Sequence, residues 1–323
     1  YRPDWRSTDR LAFTRDAARV LAALLPPESY GSISTVPGAF KPESRTPGAV
    51  DLMVENLVRA AADLVRLERE TGRTIALALE PEPCCFLETV EETLAFFENR
   101  LFAPEALARF GRLANLPADG AERALRDHLG VCYDVCHGAV EYEDPVSALR
   151  LLRAKGIRIP KIQLSAAMRV PRMDEDLLAA LERFDTGVYL HQVIARGHGP
   201  GRDGFERYAD LPDAFRALRT GDAQGEWRIH CHVPIFLQSA GDVGSTQQDL
   251  VATLRALRQE AFSPHLEVET YTWDVLPRAL KTVSKAHDIA RELAFVLEEL
   301  DHERFDGGLP CSGQRSAAAG QGL

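Results

Sequence analysis

No stretch of this chain approaches the run of about 18 to 20 apolar residues that a membrane-spanning helix needs, and the N-terminus lacks the charged-then-apolar pattern of a secretory signal. Basic residues are outnumbered: 38 Lys and Arg stand against 48 Asp and Glu, a net charge of -10. That balance opposes a nucleic-acid partner, whose phosphates are met by clustered Lys and Arg. The two signs are interspersed along the helices, as on a solvated surface. The six cysteines, at 84, 85, 132, 136, 231 and 311, are scattered, and five lie in or beside apolar strands, where a reduced Cys acts as a small hydrophobe. So long and core-rich a chain needs no disulfide framework, and the expected compartment is the reducing cytoplasm. Cys132, Cys136 and His137 match no common structural zinc spacing. The Gly-rich stretch ARGHGPGRDG, 195 to 204, lacks the phosphate-cradle spacing and a following GK[ST], so no nucleotide role is assigned to it.

What is present is 323 residues, 45% of them hydrophobic, enough to bury one large α/β core. Helical periodicity is read over 8 to 25 (after the cap candidate Ser7), 48 to 70, 88 to 113, 118 to 129, 144 to 155 and 274 to 300. Strand-like runs alternate with these helices, the signature of a parallel sheet built from crossover units. Five runs are regular, at about 31 to 36, 75 to 80, 131 to 136, 160 to 165 and 265 to 270. Two more candidates lie near 187 to 193 and 227 to 233. The runs read as continuously apolar, as when both faces are covered. The expected fold is a (β/α)8 TIM barrel lacking about three N-terminal strands in this chain. The chain opens Tyr1-Arg2-Pro3 directly before a helix, as a segment beginning mid-domain would. Residues 1 to 304 form the partial barrel in this reading, and 305 to 323, rich in Gly, Ser, Ala and Gln, form a disordered tail.

Six of these strand-like runs carry a polar residue at or near the C-terminal end, where parallel barrels assemble their active sites. IALALE ends at Glu80, VCYDVCH holds Asp134 and His137, KIQLS holds Gln163, VYLHQV holds His191, RIHCHV holds His230 and His232, and LEVET holds Glu267 and Glu269. Side chains alternate along a strand, so His230 and His232 share a face, as do Glu267 with Glu269, and Lys161 with Gln163 and Ser165. Carboxylates with His and Gln suit a divalent cation held by N and O ligands, and a cation also relieves the cost of burying charge. The candidate ligands are Glu80, Asp134, His137, Gln163, His230, His232 and Glu269, with zinc, manganese or iron as the ion. Gln163 and His191 are candidates for holding substrate. The histidines at 128, 287 and 302 read as surface residues.

In that order the residues resemble the xylose-isomerase-like barrel superfamily, which pairs a strand-end Glu with Asp-x-x-His, a His or Gln on the next strand, an x-His-x-His element and a final Glu. The resemblance runs from about residue 30 to 300. More narrowly, YRPDWRS, GSISTVPGAFK, LALEPEPCC, CYDVCH, KIQLS, YLHQV, IHCHVP and EVETYTW are similar to the metabolite-traffic protein E family of Ebo-type gene clusters. Many epimerases carry His where Gln163 stands, a departure from their pattern. The resemblance implies a metal-dependent isomerase- or epimerase-like enzyme acting on a small polyhydroxylated or carbonyl metabolite. Glu80 and Glu269 would then shuttle the proton as well as bind metal. A homo-oligomer, or an assembly with other proteins of the pathway, is the expected protein partnership. Two alternatives stay open from the residues: a carrier or assembly factor that holds a metabolite without turnover, and a metal-dependent phosphoester hydrolase using Asp134-x-x-His137 and His230-x-His232.

Overall fold

The computed structural model describes residues 1–182, 190–197, 204–221, 223, 225–240, 243–270 and 284–301. In chain order its strands are β1 (Tyr30–Thr35), β2 (Thr74–Leu79), β3 (Leu129–Asp134), β4 (Arg158–Leu164), β5 (Ala167–Val170), β6 (Val193–Arg196), β7 (Phe205–Tyr208), β8 (Glu226–His232), β9 (Ser239–Ala240), β10 (Val243–Ser245) and β11 (Leu266–Val268). They form two sheets. The order β1-β2-β3-β4-β11 is parallel throughout. The second sheet, β7-β6-β8-β5-β10-β9, is antiparallel.

The parallel sheet holds the five regular strand runs expected from the sequence, in chain order, with helices Ala49–Thr71, Ala118–His128 and Pro145–Ala154 in the crossovers. One face is apolar: Ile75, Leu77, Leu79, Leu129, Val131, Tyr133, Ile162 and Leu164 are buried in the main core together with Met53, Leu57 and Ala61 of the first crossover helix. The other face differs from the expected continuous apolar run. The register pairs Ser32 with Ala76, Ser34 with Ala78, Cys132 with Lys161, and Asp134 with Gln163, which in turn pairs with Glu267. Paired residues of a parallel ladder point the same way, so the concave face carries small and polar side chains. The sheet curls until Ser32 Oγ of edge strand β1 lies 2.7 Å from Nδ1 of His265, just before the opposite edge strand β11. This is a curled half-barrel; among the described residues the ladder is not closed.

Of the run near 187 to 193, residues 187 to 189 lie outside the described residues; neither its described part nor the run 227 to 233 adds a strand to the parallel sheet. β6 begins only at Val193, and both β6 and β8 belong to the antiparallel sheet. β5 starts three residues after β4 ends, and β8 pairs with it so that His232 stands opposite Ala167. Val233 N donates to Ala166 O at 2.9 Å. The antiparallel pairing thus carries the end of β8 to the C-terminal end of β4. Arg228 Nη1 donates to Ala139 O at 2.6 Å and Tyr142 Oη to Glu226 O at 2.9 Å, docking β8 on the segment that follows β3.

The helix read over 88 to 113 is broken into Val90–Phe96, a π-helical turn Phe97–Leu101 and Pro104–Ala114, the break preceding Pro104. Helices Glu175–Leu181, Leu211–Thr220 and Gln247–Gln259 were not legible as periodic runs. The closing helix spans Lys285–Asp301, and the expected start at 274 lies outside the described residues, as do the tail 305 to 323 and 198 to 203 of the Gly-rich stretch. His128 is a correction: it is buried, with Nδ1 2.7 Å from Ile75 O and Nε2 3.1 Å from a Glu68 carboxylate oxygen, because it closes its helix directly against β2. His287 is exposed as expected, and His302 lies outside the described residues. No helix among the described residues is long and apolar enough to cross a membrane.

Candidate metal centre

Asp134 occupies the last position of β3 and caps the short helix Val135–Val140. Its Oδ1 accepts from His137 N at 3.0 Å and from Ser165 Oγ at 2.7 Å, while Ser165 Oγ accepts from Cys136 N at 2.9 Å. One carboxylate oxygen is thereby fixed. The other, Oδ2, is buried with no hydrogen-bond partner among the described residues and stands 3.9 Å from His137 Nε2. Burial opposes the Asp134 charge, yet His137 and His232 and the Ser165 hydroxyl outweigh it and hold the group below the usual carboxylate range.

Around Asp134 the strand ends deliver Glu80, Gln163 and Glu269. Donor atoms of Glu80, Asp134 and Glu269 lie within 4.8 Å of one another. Gln163 Oε1 and Glu269 Oε2 are buried with no hydrogen-bond partner among the described residues. Three carboxyls this close cannot all stay ionised alone. Burial, then the Asp134 charge, pushes Glu80 up to about 7, and burial with Asp134 and Glu80 pushes Glu269 up to about 10.

A second concentration of donors adjoins the first. Glu82, His137 and His230 form one set within 4.8 Å, Asp134, His137 and His232 another, and Cys136, His230 and His232 a third. The rings of His137 and His230 are perpendicular with centroids 4.6 Å apart; His232 lies 5.5 Å from each. In all three, Nδ1 meets an oxygen: Pro81 O at 2.9 Å for His137, Gln192 Oε1 at 2.6 Å for His230 and Glu269 O at 2.8 Å for His232. An oxygen acceptor at Nδ1 assigns the proton to that nitrogen and directs the Nε2 lone pair to the cluster, the arrangement typical of metal-ligating histidines. Burial and the neighbouring histidines drive His230 well below its ordinary range, and burial lowers His232; both are neutral and ligand-ready. His137 is raised, because Asp134, Glu82 and Glu80 outweigh its burial.

The fold therefore brings together six of the seven anticipated ligands in these overlapping sets, with Gln163 beside Asp134 in the sheet register. Their donor chemistry and the buried oxygens without partners fit a divalent cation. Of the two residues expected to hold substrate, Gln163 faces the cluster, whereas His191 lies in the segment before β6 with its backbone N donating to Asp210 Oδ1 at 2.9 Å. His191 joins none of the donor sets among the described residues.

Solved structures offer a distant likeness. The IolI protein, solved with a zinc atom bound, is 14% identical with a TM-score of 0.41, covering 90% of this chain and 69% of its own. The 3-keto-D-glucoside 4-epimerase YcjR of E. coli is 13% identical at a TM-score of 0.34, covering 89% of this chain and 70% of its own. The probable 3-DHS dehydratase AsbF of Bacillus anthracis is 13% identical at 0.36, covering 87% and 68%. At such values the likeness says nothing of this chain's substrate or reaction. No family model and no curated protein sequence matches the chain.

Glu82 and Cys136 were not anticipated as donors. A signal for Glu82 was present: in Glu80-Pro81-Glu82-Pro83 two carboxylates are spaced two apart at a strand end. Cys136 was set aside on spacing within its own segment, but its partners His230 and His232 come from a distant strand.

Proposed function

We propose that this protein is a divalent-metal-dependent enzyme of isomerase or epimerase type, acting on a small polyhydroxylated or carbonyl metabolite. The observation that carries the reading is the convergence of Glu80, Asp134 and Glu269 at the strand ends, with Asp134 Oδ2, Gln163 Oε1 and Glu269 Oε2 buried and lacking hydrogen-bond partners among the described residues. Glu80, Asp134 and Glu269 would hold the ion, completed by Gln163 or His232. A bound divalent cation supplies Lewis acidity toward adjacent substrate oxygens and acidifies the neighbouring C–H. Glu80 and Glu269 directly follow the ends of two different strands, β2 and β11. One carboxylate takes the proton from carbon and the other returns it, which is how two Glu residues run an epimerisation. Ser165 keeps Asp134 oriented through its hydroxyl. The acidic balance of the chain argues for a small metabolite over nucleic acid. A role in metabolite traffic is supported by the quoted sequence stretches alone.

The test is elemental analysis of the purified chain beside a Glu80→Ala, Asp134→Ala, Glu269→Ala variant, followed by a turnover screen of sugars and keto acids. Metal in the wild type, lost from a still-folded variant, with turnover that follows metal content, is the expected result. Absence of metal after incubation with zinc, manganese and iron defeats the reading. Tight stoichiometric metabolite binding without turnover would replace the enzyme by a carrier.

A further inference from the structure

We infer a second cation site, built by Glu82, His137 and His230 and of zinc-binding character, beside the one assigned to Glu80, Asp134 and Glu269. The inference extends the proposed metal-dependent reading and rests on it only in giving those three carboxylates to the first ion.

The two triads share no residue. Zinc holds its N and O ligands at about 2.0 to 2.2 Å, so donor atoms on one ion stand at most about 4.4 Å apart. Donors within 4.8 Å of one another close on a single ion with small side-chain adjustments, and each triad meets that limit separately. No described donor set joins Glu82 or His230 to Glu80 or Glu269. Glu80, Glu82, Asp134, His137, His230, His232 and Glu269 also outnumber the four ligands that one zinc ordinarily takes. Asp134 and His137, 3.9 Å apart, lie where the two positions adjoin.

A second observation points to a ligand. His230 is 5% exposed, and its Nε2 is buried with no hydrogen-bond partner among the described residues. A buried imidazole nitrogen left this way is costly unless something accepts its lone pair. Its orientation is enforced from outside the triad. His230 Nδ1 donates to Gln192 Oε1 at 2.6 Å, Gln192 Nε2 donates to Tyr1 Oη at 3.3 Å, and Tyr1 Oη donates to Glu82 Oε1 at 3.0 Å. This chain of bonds runs from one ligand round to another and leaves His230 Nε2 for an ion, together with Glu82 Oε2, which accepts a long 4.0 Å contact from the Cys85 thiol. The Tyr1 ring is itself stacked on Phe40, with centroids 5.7 Å apart. His137 is tied to Pro81, the residue next to Glu82, so all three ligands are held by a short, continuous network.

The donor chemistry separates the two positions. Two imidazoles and one carboxylate form a zinc-type set with a fourth position open, whereas three carboxylates and an amide oxygen favour a harder ion such as manganese or magnesium.

The test is metal content of the full chain, stripped and reloaded with zinc and manganese together, for wild type, Glu82→Gln/His230→Gln and Glu80→Gln/Glu269→Gln, each checked for fold by circular dichroism. The expected result is about two equivalents in wild type, with the first variant losing zinc and the second losing the other ion. One equivalent in wild type that survives Glu82→Gln/His230→Gln overturns the second site and leaves the proposed function standing. Loss of all metal from Glu82→Gln/His230→Gln, or no metal in any form, also overturns it. Should the double variant fail to fold, Tyr1→Phe, which removes the hydroxyl that bonds both Glu82 and Gln192, decides: zinc affinity is expected to fall about tenfold or more, and unchanged affinity sinks the inference.

Discussion

Glu292→Gln should make the protein's stability less sensitive to pH, and the size of the change can be worked out. Glu292 sits on the closing helix Lys285–Asp301 with a fully buried side chain. Its Oε1 accepts from Thr270 Oγ1 at 2.7 Å and Ile235 N at 3.2 Å, tying the helix to the residues that follow Glu269 and His232. Oε2 has no hydrogen-bond partner among the described residues. Burial outweighs those two bonds and pushes the carboxyl from 4.5 up to about 7. A raised folded-state value means the folded chain binds the proton more tightly than the unfolded chain. The contribution is therefore fully present below the unfolded value near 4.5 and is lost as pH rises through about 7. Between pH 5 and 8.5 the linkage relation makes that loss about 2 to 3 kcal/mol. Glutamine keeps an acceptor for Thr270 and Ile235 and never ionises. Urea unfolding at the two pH values should thus show the difference between variant and wild type moving by about 2 to 3 kcal/mol in favour of the variant as pH rises. A constant difference across that interval would refute the argument that the buried carboxyl is charged at the higher pH.

Cation binding should weaken as pH falls from 8 to 6, because the protons held by Glu80 near 7 and Glu269 near 10 must be displaced by the ion. Calorimetry in buffers of different ionisation enthalpy would register their release, and pH-independent affinity contradicts this. Ser165→Ala should lower cation affinity about 10- to 100-fold, since it removes the hydroxyl that orients Asp134 and the acceptor for Cys136 N; an unchanged titration rules that out. Gly130→Ala should destabilise the fold by about 1 to 3 kcal/mol or more, because the new methyl would sit 2.5 Å from Arg158 O and 2.7 Å from Pro160 Cδ where β3 meets β4. A variant with wild-type thermal stability would show that the strand pair yields there at no cost.

The parallel half of this fold was legible in the residues. Apolar runs punctuated by helices identified β1 to β4 and β11, and the alternation of side chains put Lys161 with Gln163, and Glu267 with Glu269, on shared faces, because strand parity is a local property of the backbone; the register then sets Gln163 beside Asp134 and Glu267. The polar concave face was missed: Ala76, Ala78 and Cys132 count as apolar in a one-dimensional pattern, yet they line the side that carries the carboxylates. His230 and His232 were picked out by residue type and then assigned to barrel strands, although they ride on an antiparallel sheet. Glu82, lost in a Pro-bounded turn, joins the cluster only because Tyr1, Gln192 and His230 come round to meet it. Residue chemistry and strand periodicity are written locally, so the sequence by itself determined the donor types and the five parallel strands. Which donors share an ion depends on pairings between segments as far apart as Ala167 and His232, and only the tertiary structure decided those.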